Sequence, residues 1–454
     1  MNVATILTGS RDHDLPTKLA WAIPLERRGH NVFIVGRTNQ PYVTCMYDEP
    51  YKEYPISLQQ DIERWLGLPF KYISSLDWRS FNKRDCSDIK KMSEVNQYLT
   101  FLTIWFQDFY IKNKIDVLTF QMESFPWNLI GYYVARKLNI PVVDMKGPRF
   151  PKKGMMFGNN DHAHIWGWND APDPSWEEIL SYYQEKKFLR FEGGLQSLWS
   201  PKNIQNNLSK ALHYVKTKRT METISPYEKT ALLPLQSEIY RALWSTLKGI
   251  INPLFWKQPL EEEYLFYPFH YEDDASLTVL EPLTNQIDLV NSISRCLPIG
   301  VKLYIKPHPA FMGTDIRFLD LLHLSKLPNV RIIHPTVSPV SLIKNSIGVI
   351  TINSTTGFEA MIQGKPVITV GNDFYCNENY CYVVKDWGDL PRVISGVCRD
   401  RKPQSTAEVT QNFIKSIYKN IVFTQGDIFF AEDPLTTSDG ERIAFALDKI
   451  YKKL

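Results

Sequence analysis

The stretch INSTTGFEAMIQGKPVITVG, residues 352–371, decides how the C-terminal half of the chain is read. It continues an apolar run, IGVIT at 347–351, passes through a hydroxyl-rich turn into a helical pattern, and leaves through Gly364 into a second apolar run, KPVITVG. Two short apolar strands joined by a helix cannot pair as a hairpin. They lie parallel, with the helix crossing over one face of the sheet.

Working outward, the same rhythm repeats. EYLFYPFH (263–270), VKLYIKPHP (301–309) and VRIIHP (330–335) read as strands, and LTNQIDLVNSISRCL (283–297) and SPVSLIKNS (338–346) as helices between them. The N-terminal part alternates likewise: NVATILTG, LPTKLAWAIPLERRGH with a helix that Pro24 kinks or shortens, and NVFIVG, then IDVLTFQ, WNLIGYYVARKLNI and PVVDMKG. The fold class expected is therefore α/β, with two doubly wound, Rossmann-like domains. Residues 172–262 are rich in Trp, Gln, Lys and Glu and read as a helical insert or interdomain bridge. The domain limits are 1–171, 172–262 and 263–435, with a final helix at 436–454 capped by Ser438 or Asp439.

Composition sets bounds on partners. A chain of 454 residues with 44% hydrophobic and 22% charged residues has the make-up of a globular protein with more than one core. A formal charge of +3 demands neither nucleic acid nor acidic lipid. The six cysteines form no Cys-x-x-Cys pair, the start lacks an export signal, and no apolar window is long enough to span a bilayer. A cytoplasmic location follows as the expectation. The segment LWSTLKGIINPLFWKQPL at 243–260 reads as a helix packed between domains, or as one lying on a membrane surface or a partner.

In open α/β sheets ligands gather beyond the carboxyl ends of the strands. Four positions of the C-terminal array stand there: His270, the run Lys306-Pro307-His308-Pro309, His334-Pro335, and Asn353 to Gly357. Ser354, Thr355 and Thr356 stand where strand becomes helix, so their hydroxyls and the N–H groups of the first helical turn can hold a phosphate. Gly357 lets the backbone come close, and Glu359, read as part of that first turn, can accept from ribose hydroxyls. The alternative is a plain Ser/Thr cap with Glu359 as its capping-box partner. His308, stiffened between Pro307 and Pro309, can donate to a phosphate oxygen, whereas Lys306 at a strand end can equally reach water.

In the N-terminal part Glu123, in MESFPWN, stands at a strand end, where it can act as a base or simply face a helix dipole. Asp12, His13 and Asp14 hold the same topological position after the first strand. Arg149, with Lys152 and Lys153, forms a basic loop after PVVDM that is either a solvated surface or a grip on an acidic group.

The run from FYPFHYEDDASLTVL (266–280) through YIKPHPAFMG (304–313) to INSTTGFEAMIQGKPVITVG resembles the bacterial capsule polysaccharide biosynthesis family, which includes Kdo transferases. The resemblance covers the C-terminal third and implies two facing domains of the glycosyltransferase-B (GT-B) type. By it, His308 and Pro309 lie at the nucleotide, Ser354 and Thr355 at the phosphate, and Glu359 near the ribose. His270, Asp274 and Arg149 line the cleft, and Glu123 or Asp12 serves the acceptor. The chain departs from the family's pattern at Asp273-Asp274, where a Pro-Glu pair stands. The activity implied is transfer of a sugar, Kdo-like from a CMP-sugar or a hexose from a UDP-sugar, onto a surface polysaccharide or glycolipid. Neither a cofactor nor a metal is called for, and the partners are the nucleotide sugar and the glycan acceptor, with peripheral contact to the inner face of a membrane. The same fold also serves sugar-nucleotide 2-epimerases, CDP-polyol phosphotransferases and non-catalytic glycan-export proteins.

Overall fold

A computed structural model describes residues 1–8, 14–37, 40–46, 52–75, 89–122, 124–148, 150, 153–159, 164–184, 251–271, 277, 279, 285–309, 313, 316–426 and 434–454. Chain contacts divide the described residues into two compact units. The first takes Met1–Pro174 and Ser416–Leu454, and the second takes those between Ser175 and Lys415.

The first unit is built on a seven-stranded sheet. Its strands are β1 (Asn2–Ile6), β2 (Asn31–Gly36), β3 (Val43–Cys45), β4 (Val117–Phe120), β5 (Val142–Lys146) and β6 (Gly154–Gly158), joined at one edge by a late strand, Val422–Phe423. The first five run parallel, and β6 and Val422–Phe423 pair antiparallel. In space the order from one edge is β3, β2, β1, β4, β5, β6. The central strands are mostly apolar because helices cover both faces, and β4 is buried at every residue.

The second unit repeats the plan without the antiparallel edge. Its strands are β7 (Tyr264–Pro268), β8 (Lys302–Lys306), β9 (Val330–Ile332), β10 (Gly348–Thr351), β11 (Val367–Thr369) and β12 (Tyr382–Val383). All pairs are parallel, in the spatial order β9, β8, β7, β10, β11, β12. Its core gathers Leu265, Tyr267, Leu303, Ile305 and Ile350 from the strands with Leu289, Ile293 and Ile394 from the helices. In both units the winding starts in the middle, runs to one edge, returns and runs to the other. Each sheet thus has a switch point, between β1 and β4 and between β7 and β10. The α/β, doubly wound reading of both halves holds.

Several expectations are corrected. The chain from Ser416 to Leu454 belongs to the first unit, so the second array ends before residue 435. The cause is burial: Ile443, Ala444, Leu447, Ile450 and Tyr451 of the last helix pack into the core that holds Val3, Trp21 and Val143. That helix, Thr437–Tyr451, is capped by Thr436 rather than Ser438 or Asp439, and Asp439 is the reciprocal partner in the capping box. Of the insert read as helical, Trp176–Gln184 is a helix and residues 185–250 lie outside the described residues. Beyond them, Asn252–Phe255 is one 3-10 turn, and Lys257 bridges to Ile333 as an outer partner of the second sheet. Pro253 and Pro259 prevent a longer helix there, since neither offers an N–H. No helix among the described residues is long and apolar enough to cross a membrane.

Pro24 does not shorten its helix, which runs from Asp14 to Glu26. The proline does remove the N–H that the Ala20 carbonyl would accept. The last helix lays Gly440 against that carbonyl so closely that a Cβ at 440 would sit 1.8 Å from the Ala20 oxygen. Asp439 beside it is fully buried and accepts from the backbone N–H groups of Gln425 (3.0 Å), Gly426 (3.0 Å) and Thr436 (2.9 Å). Burial alone would raise its pKa, but these bonds outweigh it and hold the carboxyl at about 2.

Two stability measurements follow. Helix propensity alone makes Gly440→Ala a gain of about 1 kcal/mol. The clash with Ala20 reverses the sign, to a loss of about 2–3 kcal/mol, and a urea midpoint equal to or above that of the parent would refute the close approach. Asp439, whose folded pKa lies below the ordinary ~3.9, contributes stability that is complete above that value and is lost as pH falls towards 2, roughly 2–3 kcal/mol in all. Asp439→Asn should flatten the pH dependence of unfolding between those limits.

Candidate functional site

Beyond the carboxyl ends of β10, β7, β8 and β9 the second unit collects several buried polar residues. At β10, the backbone N–H of Ser354 donates to Thr351 Oγ1 (3.1 Å), turning the chain out of the sheet. Ser354 then caps the helix Thr355–Ile362, its Oγ accepting from the N–H of Thr356 at 3.3 Å. The Tyr375 hydroxyl donates to the Ser354 carbonyl, so the turn is held from the loop after β11 as well. Asn353 is fully buried, and its amide donates to the Asn372 carbonyl at 3.3 Å. Ser354, Thr355 and Thr356 remain half-buried at the rim.

Gly357 and Glu359 have surroundings that the sequence alone does not show. A Cβ at Gly357 would lie 2.7 Å from Tyr375 Oη and 2.9 Å from Thr351 Cγ2, so this glycine admits the protein's own side chains. Glu359 is the fifth residue of its helix and is 3% exposed, so it forms no capping box and stands away from the first turn. Its carboxylate faces the β8 end instead, where it favours the charged form of Lys306.

Lys306 ends β8 and is 5% exposed. Burial lowers its pKa from the usual lysine range to about 8, against the opposing pull of Glu359. Its ammonium makes no hydrogen bond and no ion pair with any described residue. His308 and Pro309, half-buried, follow immediately.

His270, 6% exposed, follows β7. Its backbone is clamped by one side chain: the His270 N–H donates to Gln286 Oε1 at 2.8 Å, and Gln286 Nε2 donates to the His270 carbonyl at 3.1 Å. Gln286 thereby pairs with a peptide unit as a strand would. On β9's side His334 is half-buried, and its Nδ1 accepts from the Thr336 N–H (3.2 Å) and hydroxyl (2.8 Å).

The structure therefore brings Lys306, His308, Pro309, Ser354, Thr355, Thr356 and His270 to one sheet edge, with Glu359 beneath it. Nothing in the local sequence marks Gln286 or Tyr375, because each acts on a residue distant in the chain, whereas Thr351 acts three residues on. Asp274 lies outside the described residues, as do Asp12, Glu123 and Arg149 of the first unit. Asp14, from the set with Asp12, is buried and accepts from the Thr8 N–H (2.5 Å) and hydroxyl (3.0 Å), tying the end of β1 to its helix. Met122, next to Glu123, is anchored through its N–H to Asp144 Oδ1 at 3.0 Å.

The matched segment found by comparison with known proteins includes this edge. Residues 204–378, which include β7 to β11, match the model of the family described as capsule polysaccharide biosynthesis protein. Protein FixF of Sinorhizobium fredii is 32% identical over 132 residues, a stretch that spans 28% of this chain and 31% of that relative's length. Two solved structures are also similar. The beta Kdo 2,7 transferase KpsC of Thermosulfurimonas dismutans shares 14% identity over 81% of this chain and 98% of its own, with a TM-score of 0.35. The UDP-GlcNAc 2-epimerase of Methanocaldococcus jannaschii shares 15% identity over 92% of this chain and 99% of its own, with a TM-score of 0.27. The segment that matches the family model is less than half of the chain, and the chain spans less than a third of the length of FixF.

Proposed function

We propose that this chain transfers a sugar from a nucleotide donor to a surface polysaccharide or glycolipid, as a GT-B type glycosyltransferase whose second unit holds the donor. The observation that carries the reading is Lys306, a lysine only 5% exposed whose ammonium makes no hydrogen bond with any described residue, beside a Ser-capped helix N-terminus near the switch point of a doubly wound sheet. A buried cation without a partner destabilises a fold, and an anionic ligand is the group that relieves it. The family match points to glycan synthesis, and a sugar nucleotide brings the required phosphate.

In this reading the phosphate lies between the first turn of the helix Thr355–Ile362 and Lys306. Ser354 and Thr355 donate hydroxyl hydrogens, and Lys306 offsets the charge. His308 stands ready to stabilise the negative charge that grows on the departing nucleotide, the largest demand of the transfer step. Glu359 acts from beneath by keeping Lys306 protonated. A carboxylate of the first unit, Glu123 or Asp12, takes the acceptor's proton. The donor is a CMP-sugar carrying a Kdo-like residue, or a UDP-hexose.

Titration calorimetry with CMP and with UDP tests the site, and identifies the nucleotide. Lys306→Met should weaken the bound nucleotide by about 10- to 100-fold, the usual cost of a charged hydrogen bond. The same variant should unfold at a higher temperature, because the parent's folded state has a lysine pKa of about 8 against an unfolded value near 10.4. That burden, about 2–3 kcal/mol, is complete below pH 8 and is relieved as pH rises towards 10. Unchanged affinity, or a less stable variant, would count against the reading. Incubation with the sugar nucleotide separates reaction classes: nucleotide released only when a glycan acceptor is present supports transfer, and isomerised donor without acceptor rejects it.

Affinity should also depend on pH in one direction. Lys306 is charged below about 8, so nucleotide binding stays level from pH 6 to 7.5 and falls at higher pH. Lys306→Arg, charged throughout, should abolish the fall.

A further inference from the structure

His334 is the second His-Pro pair of the chain to stand at a strand end, one strand outward from His308-Pro309. The proposed donor site does not use it. Its surroundings prepare it closely for one task. Ile305 pairs with Ile332 in the β8/β9 ladder, and the Ile333 N–H donates to the Ile305 carbonyl at 2.8 Å, so His334 stands beside the segment that follows Lys306. Adjacent strands lie only about 4.8 Å apart. The His334 N–H is tied to the Lys257 carbonyl (3.1 Å), and its own carbonyl accepts from the Val337 N–H (3.0 Å), so the backbone is fixed on both sides.

The ring is fixed as well. The Thr336 backbone N–H can only donate, and it is directed at His334 Nδ1. Nδ1 is therefore the acceptor nitrogen, and a neutral ring carries its hydrogen on Nε2. Burial, and then the nearby charge of Lys306, lower the ring's pKa below its ordinary value, which keeps it neutral at pH 7. Nε2 makes no hydrogen bond with any described residue. A neutral donor with a locked tautomer, near an ammonium that makes no hydrogen bond with any described residue, is suited to an oxyanion.

We infer that His334 donates its Nε2–H to the phosphate that Lys306 faces, making it a further donor-binding residue. The inference rests on the proposed donor site. It assigns the β9 end to recognition of the phosphate, adding it to the contacts from the β10 and β8 ends. The competing role is structural: His334 would only close the turn to Val337, and its ring would face water.

The test uses the full chain and CMP, or UDP if that is the nucleotide bound. His334→Ala should weaken binding about 10-fold at pH 7, while His334→Gln, which places an amide N–H near the position of Nε2, should stay within about 3-fold of the parent. Unfolding midpoints identify any loss caused by a damaged turn, and the Gln variant keeps the test decisive if Ala fails to fold. Two-dimensional 15N–1H spectra of the imidazole should show the Nε2–H tautomer in the free protein and a shift of that nitrogen when nucleotide is added. Weakened binding in Lys306→Met with unchanged binding in His334→Ala would overturn the role of His334 alone. An Nδ1–H tautomer would do the same. Absence of nucleotide binding by the parent would overturn the donor site and this inference with it.

Discussion

Crossovers in a parallel sheet share one hand, so a chain that winds from its first strand to one edge can cover the other face only by returning to the middle and winding the opposite way. Everything else in each unit depends on that constraint. The return leaves β1 beside β4 and β7 beside β10, with their following loops diverging to opposite faces. Between diverging loops the sheet edge stays open, and helix N-termini and strand-end residues meet there without a core to fill the space. The polar residues of the second unit, which a closed core would exclude, are tolerated at this edge.

The charge at that edge is held in an unusual balance. Lys306 has lost most of its contact with water, and Glu359 beneath it restores only part of what desolvation removes. Elsewhere a buried carboxylate is well satisfied, as with Asp439 under three backbone N–H groups. A protein gains nothing for its own stability from a half-satisfied ammonium.

The strands were legible because a strand buried on both faces must be largely apolar, as NVATI, VLTF, YLFYP and GVIT are. The cap at Ser354 was legible for a local reason: a short hydroxyl side chain at the strand–helix junction satisfies an N–H two residues on. Glu359 was misplaced by about one turn. Its three-dimensional meaning comes from Lys306, fifty-three residues away in sequence, rather than from the helix it belongs to. The last helix was recognised, but its membership of the first unit was hidden, because amphipathic spacing shows that a face is buried and not what it is buried against.

By itself, then, the sequence determined the element types, the parallel winding and the list of polar residues at strand ends, all set by interactions within a few residues of each other. Only the tertiary structure decided which of those residues share an edge, that Gly440 answers the carbonyl freed by Pro24, and that Lys306 is buried rather than reaching water. These outcomes depend on how strands order themselves in the sheet and on how much solvent each group retains. Both are properties of packing between segments far apart in the chain, and no local pattern encodes them.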